Sequence, residues 1–103
     1  MRVSDIPTVL GTSTPKNFNT LAAEAATLGR SAIPALMLTA RDATTSRAQV
    51  CAIKALWMMS DPVAKEARRR IARLSLGGGR GFVVRAAAGN SKWPFDINWD
   101  AEA

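Results

Sequence analysis

The pattern of residues 61–74 allows an amphipathic helix and little else. In an α-helix of 100° per residue, five apolar side chains of this segment fall within a sector of about 100°. Five basic side chains occupy the rest of the circumference. Such a helix buries a narrow stripe on its neighbours and presents positive charge to solvent. The apolar residues are Val63, Ala64, Ala67, Ile71 and Leu74, and the basic residues are Lys65, Arg68, Arg69, Arg70 and Arg73.

Capping and helix-breaking residues predict three helices before this one. We expect them over residues 21–28, 33–39 and 47–59. The first has Asn19 or Thr20 as N-cap and Gly29 as its stop, and the break at 42–46 supplies an N-cap for the third. The fourth helix follows Asp61, a good N-cap, and Pro62, which is tolerated at the first helical position.

Two segments after the fourth helix are predicted to form β-strands. Residues 81–85 and 95–99 have the composition and alternation of short strands, so we expect a small C-terminal β-hairpin. The predicted fold class is therefore mostly α, with about four helices followed by two strands. We expect an irregular N-terminal arm over 1–18, one basic helical domain over 19–99, and a loose acidic tail over 100–103.

Composition excludes several classes of function. The chain has no His and no Tyr, and its single cysteine is Cys51. We therefore predict no catalytic residues, no cofactor and no metal site, and we do not expect an enzyme. No apolar run is long enough to span a membrane, and no signal peptide is recognisable. The expected location is intracellular, in the cytoplasm or nucleoid, with a virion as an alternative.

Positive charge is concentrated in one part of the chain. Residues 44–92 carry ten basic and two acidic side chains, whereas residues 93–103 carry three acidic and no basic ones. A local positive field attracts polyanions, so nucleic acid is the leading partner. Duplex DNA is favoured and RNA is the alternative. The candidate nucleic-acid-binding residues are Lys65, Arg68, Arg69, Arg70, Arg73, Arg80 and Lys92.

The order of elements resembles the winged helix-turn-helix superfamily. The run from Ala67 to Leu74, a glycine-containing turn and the segment 81–85 are similar to that superfamily's recognition helix and first wing strand. The resemblance covers residues 44–99. It implies that the fourth helix enters the major groove with Lys65, Arg68 and Arg69 near its exposed side, and that Lys92 lies in the wing. It also implies a transcriptional regulator, with a homodimer or higher assembly as an expectation.

Two other functions fit the same residues. The protein could be a structural nucleoprotein, viral or ribosome-associated, that binds RNA or DNA without reading its sequence. It could also be an inhibitor-like module whose arginines bind an acidic protein partner. Acidic side chains near the arginines allow a fully solvated face as well, since Asp61 can reach Lys65 and Glu66 can reach Arg69 and Arg70.

Overall fold

A computed structural model of the chain describes residues 1–14, 16–73 and 88. The prediction of a mostly helical fold is confirmed, and the described residues contain no strand. The predicted strands 81–85 and 95–99 lie outside the described residues. The helices are α1 (Ile6–Gly11), α2 (Phe18–Thr27), α3 (Ile33–Asp42), α4 (Ser46–Met58) and α5 (Pro62–Ala72), with short 3-10 helices at Val3–Asp5 and Gly29–Ala32.

Capping residues, a glycine and a proline correctly predict three of the helix ends. The Thr45 hydroxyl accepts a hydrogen bond from the Ala48 N–H at 3.2 Å and so caps α4. Gly29 adopts a φ of +75°, a left-handed conformation that ends α2 and that only glycine adopts without strain. Pro62 opens α5 directly after the Asp61 cap, as the sequence predicts.

The prediction of an irregular N-terminal arm is wrong for residues 3–11, because these residues are helical. Ile6 and Leu10 are four residues apart, so they share one face of α1, and both are fully buried. Pro7 occupies the first turn, where its missing N–H leaves no helical hydrogen bond unmade. A helix of six residues is unstable alone. Packing against α3 and α4 therefore holds α1 in place.

Helix α4 is the centre of the fold, and all four other α-helices pack against it. The helix is buried around most of its circumference. Half of the buried apolar side chains in the described part of the chain are alanines, including Ala48, Ala52 and Ala55. Small side chains let neighbouring helix backbones approach closely, so α2 and α3 can both pack tightly on α4.

The buried amide of Gln49 links α3 to α4. Its Nε2 donates hydrogen bonds to the carbonyl oxygens of Ala40, at 2.9 Å, and Arg41, at 3.2 Å. Carbonyls in the last turn of a helix have no partner within that helix, and this side chain supplies one. Gln49, buried in the core, therefore donates the hydrogen bonds that the carbonyl groups at the end of α3 would otherwise lack.

We predict that Gln49→Met lowers the free energy of unfolding by about 1–3 kcal/mol, because buried acceptors lose their donor while the side-chain volume changes little. Urea denaturation followed by circular dichroism measures the loss. Glu24→Met, an exposed site on α2, is the control and should change stability by less than about 0.5 kcal/mol. An unchanged urea midpoint for Gln49→Met would contradict this role.

The thiol of Cys51 is buried in the same core. Its Sγ lies 3.5 Å from the Phe18 carbonyl oxygen. Burial raises the pKa of the Cys51 thiol to about 12, because the thiolate would be desolvated.

We expect Cys51 to be unreactive in the folded protein. With a pKa of about 12, the thiolate fraction at pH 8 is about one in ten thousand, and the sulfur is inaccessible. Ellman's reagent at pH 8 should modify the thiol only at the rate of unfolding, and rapidly in denaturant. Fast modification under native conditions would contradict the packing around α4.

Candidate nucleic-acid interface

Within its described residues, helix α5 docks on the bundle through a narrower stripe than predicted. Leu74, the last residue of the predicted stripe, lies outside the described residues. Ala64, Ala67 and Ile71 are buried, and the helix packs against α4 and α3. Val63, which the sequence assigns to this stripe, is 40% exposed. It lies at the edge of the apolar sector, about 80° from Ile71, so it misses the contact. Most of the α5 circumference therefore faces solvent.

The start of α5 is tied to the 3-10 helix at Gly29–Ala32. Asp61 accepts a hydrogen bond from the Val63 N–H at 2.8 Å. The same carboxylate forms a two-point ion pair with Arg30, with Nε–Oδ2 and Nη2–Oδ1 distances of 2.9 and 3.1 Å. Asp61 thus pairs with Arg30 and not with Lys65, its predicted neighbour. Hydrogen bonding to Arg30, and then to the Val63 N–H, holds the pKa of Asp61 below its ordinary value.

We predict that this ion pair makes stability depend on pH. Because the folded-state pKa of Asp61 is lowered, its contribution is complete above the ordinary value of 3.8 and is lost as pH falls through the folded-state pKa. The Asp61→Asn protein, which keeps a capping side chain, should melt below wild type at pH 7. The two melting temperatures should converge below pH 3.8.

Thermal melts between pH 2.5 and 7 measure this convergence. Glu24→Gln removes one exposed carboxylate on α2 and should follow the wild-type pH profile closely. A constant difference between Asp61→Asn and wild type across this range would show that the Asp61 charge does not act on stability.

Three of the predicted binding residues form a line along the solvent side of α5. Lys65, Arg69 and Arg73 are exposed and follow one another at intervals of four residues. At 1.5 Å per residue they cover about 12 Å of helix. No carboxylate among the described residues lies within ion-pair distance of Lys65 or Arg73. Arg70 is also exposed, beside this line. We call Lys65, Arg69, Arg70 and Arg73 the basic face.

Among the described residues, Glu66 is the carboxylate closest to the basic face. Its oxygens lie 3.8 Å from Nη1 of Arg69 and 3.7 Å from Nε of Arg70, as its i+3 and i+4 spacing predicts. These distances are long for charge-assisted hydrogen bonds. All three side chains are about half exposed or more, so the pairs are weak. One carboxylate shared by two arginines leaves the face strongly positive.

Arg68 has a different environment from the basic face. It is half-buried, and its guanidinium carbon lies 3.8 Å from the centroid of the Trp57 ring, which is a cation–π contact. Its Nε is buried and donates no hydrogen bond to the described residues. Burial, together with the nearby charge of Arg69, lowers the pKa of Arg68. Arg68 therefore attaches α5 to the end of α4, whereas the sequence places it near the exposed side.

The structure thus brings together four of the seven predicted binding residues, and places Arg68 against Trp57. Arg80 and Lys92 lie outside the described residues. Sequence reasoning missed Arg30, because its partner Asp61 is 31 residues away and no local pattern connects them. It also missed Trp57 as the partner of Arg68.

Neither a cluster of metal-ligating side chains nor a membrane-spanning helix is found within the described ranges. No group of three or more Cys, Asp or Glu side chains there could hold a metal ion. Among the same residues, no helix combines the length and apolar character needed to cross a bilayer. Comparison with protein-family models, curated proteins and solved structures finds no match to this chain.

Proposed function

We propose that the protein binds nucleic acid through the basic face of α5, with duplex DNA as the favoured ligand. The supporting observation is the line formed by Lys65, Arg69 and Arg73, exposed along about 12 Å of helix with one weakly paired carboxylate beside it. Phosphates of a nucleic-acid backbone are the complementary charge, and arginine can bind them with two parallel hydrogen bonds.

Stabilisation of the helix itself explains only some of the positive side chains on α5. Cations at the C-terminal end of a helix are stabilised by its dipole, which would explain Arg69, Arg70 and the C-cap residue Arg73. Lys65 lies toward the other end of α5, where the dipole opposes a cation. Like charges at four-residue intervals also destabilise a helix. Lys65, and the spacing that places three cations in one line, are therefore better explained by an anionic ligand than by the helix itself.

The connection between α4 and α5 supports a duplex ligand. Residues 59–61 form a three-residue turn between the two helices, a length that helix-turn-helix proteins use. An α-helix fits the major groove of B-DNA, which is about 12 Å wide. In this proposal α5 is the recognition helix of a DNA-binding regulator. Ala64, Ala67 and Ile71 face the bundle. Lys65, Arg69 and Arg73 therefore lie on the solvent side of α5.

A salt titration of DNA binding tests this proposal. We expect log affinity for a labelled mixed-sequence duplex to fall linearly with log salt, as counterions leave the phosphates. The double variant Arg69→Gln with Arg73→Gln should weaken binding. Its slope should be smaller in magnitude by about 1.8, or about 0.9 for each lost phosphate contact. Fluorescence anisotropy measures both quantities.

The matched control is Arg2→Gln with Lys16→Gln. Both double variants lower the net charge by two, from +6 to +4, and all four residues are exposed. The control should keep nearly the wild-type slope. If the two double variants lost the same amount of affinity and of slope, the protein would be attracting DNA by its net charge alone. Absence of duplex binding at low salt would overturn the proposal.

A further inference from the structure

An apolar groove lies between α3 and α5, apart from the line of Lys65, Arg69 and Arg73. Its volume is about 370 Å³, and it is open to solvent along one side. Helix α3 supplies four lining residues and α5 supplies two. The lining consists of Pro34, Met37, Leu38, Arg41, Arg70 and Ile71, and we call it the α3 groove.

The α3 residues of this groove occupy one face of their helix. Pro34, Met37, Leu38 and Arg41 have the spacing i, i+3, i+4, i+7 and so cover two turns, or about 10 Å. Leu38 is 50% exposed, more than Met58 or Val63. A second depression of about 260 Å³ lies against Leu38 on its other side. Leu38 is therefore a ridge in a continuous, mostly apolar surface.

Both charged residues that line the α3 groove are arginines. Arg41 and Arg70 are exposed and line it, and none of its lining residues is acidic. Asp42 lies on the second depression and binds Arg41 through two contacts of 2.8 Å. Arg70 is 3.7 Å from the half-exposed Glu66. An apolar strip beside cations is complementary to an apolar strip beside carboxylates.

We propose that the α3 groove binds an acidic amphipathic helix of a partner protein. A helix that binds in a groove presents apolar anchor residues at i, i+3 or i+4, and i+7. The apolar face of α3 has the same spacing and covers two turns, so the two faces match in length. Carboxylates next to those anchors would pair with Arg41 and Arg70. A second copy of this chain fits less well, because two chains of net charge +6 repel each other. The apolar groove does not suit a phosphate backbone.

Two designed peptides of about 15 residues serve as probes, a length at which helices begin to be stable. Both carry Leu at i, i+3, i+4 and i+7. One has Glu only at positions next to these Leu residues and Ala elsewhere, and its twin has Lys in place of each Glu. Anisotropy of the labelled peptides gives their affinity for wild type, Leu38→Ser and Met58→Ser. Met58 is 41% exposed and outside the groove, so it controls for loss of an exposed apolar side chain. Circular dichroism melts check that each variant folds.

We expect the Glu peptide to bind wild type, and Leu38→Ser to weaken it about tenfold through lost apolar burial. Met58→Ser should change the affinity less than twofold, and the Lys peptide should bind far more weakly. Equal affinities for the two peptides, or equal effects of the two variants, would overturn the proposal. So would sedimentation showing a wild-type dimer that Leu38→Ser dissociates, since the groove would then hold a second copy.

Discussion

The burial of α4 on nearly all sides is the constraint on which the rest of the structure depends. Its alanines let the other helices approach closely, and its larger residues, such as Ile53 and Leu56, fill the space between them. Because α4 occupies the centre, α5 can only pack on the outside. Two alanines and Ile71 make most of that contact, and the remaining surface of α5 stays exposed. The position of the basic face is thus a consequence of how the core is packed.

Clustered arginines repel one another, and the structure offsets this at the edges of the cluster. Asp61 caps the start of α5 and takes its ion pair from Arg30, outside the helix. Arg68 is half-buried, and its guanidinium group lies over the ring of Trp57. Glu66 lies between Arg69 and Arg70 at distances that reduce repulsion without neutralising either charge. These contacts stabilise α5 while leaving Lys65, Arg69 and Arg73 accessible, as a site for an anionic ligand requires.

Local chemistry explains what could be predicted from the sequence. The Thr45 and Asp61 caps, the Gly29 stop and the Glu66 spacing each depend on residues within a few positions, so sequence patterns reveal them. The missed features depend on tertiary packing. The pairs Arg30–Asp61 and Arg68–Trp57 join separate elements. Helix α1 is too short to be stable without the core. The segment 1–18 that contains it is rich in Thr, Ser and Pro, a composition typical of a loop.

The central claim is that the basic face, and not net charge alone, contacts nucleic acid. Side-chain NMR of the arginine Nε–H groups during titration with a short DNA duplex tests it most directly. The Arg69 and Arg73 signals should shift or broaden, while those of Arg2 and Arg30 should change little, since Arg30 is already held by Asp61. Uniform small shifts across all arginines, or shifts confined to residues outside α5, would contradict it.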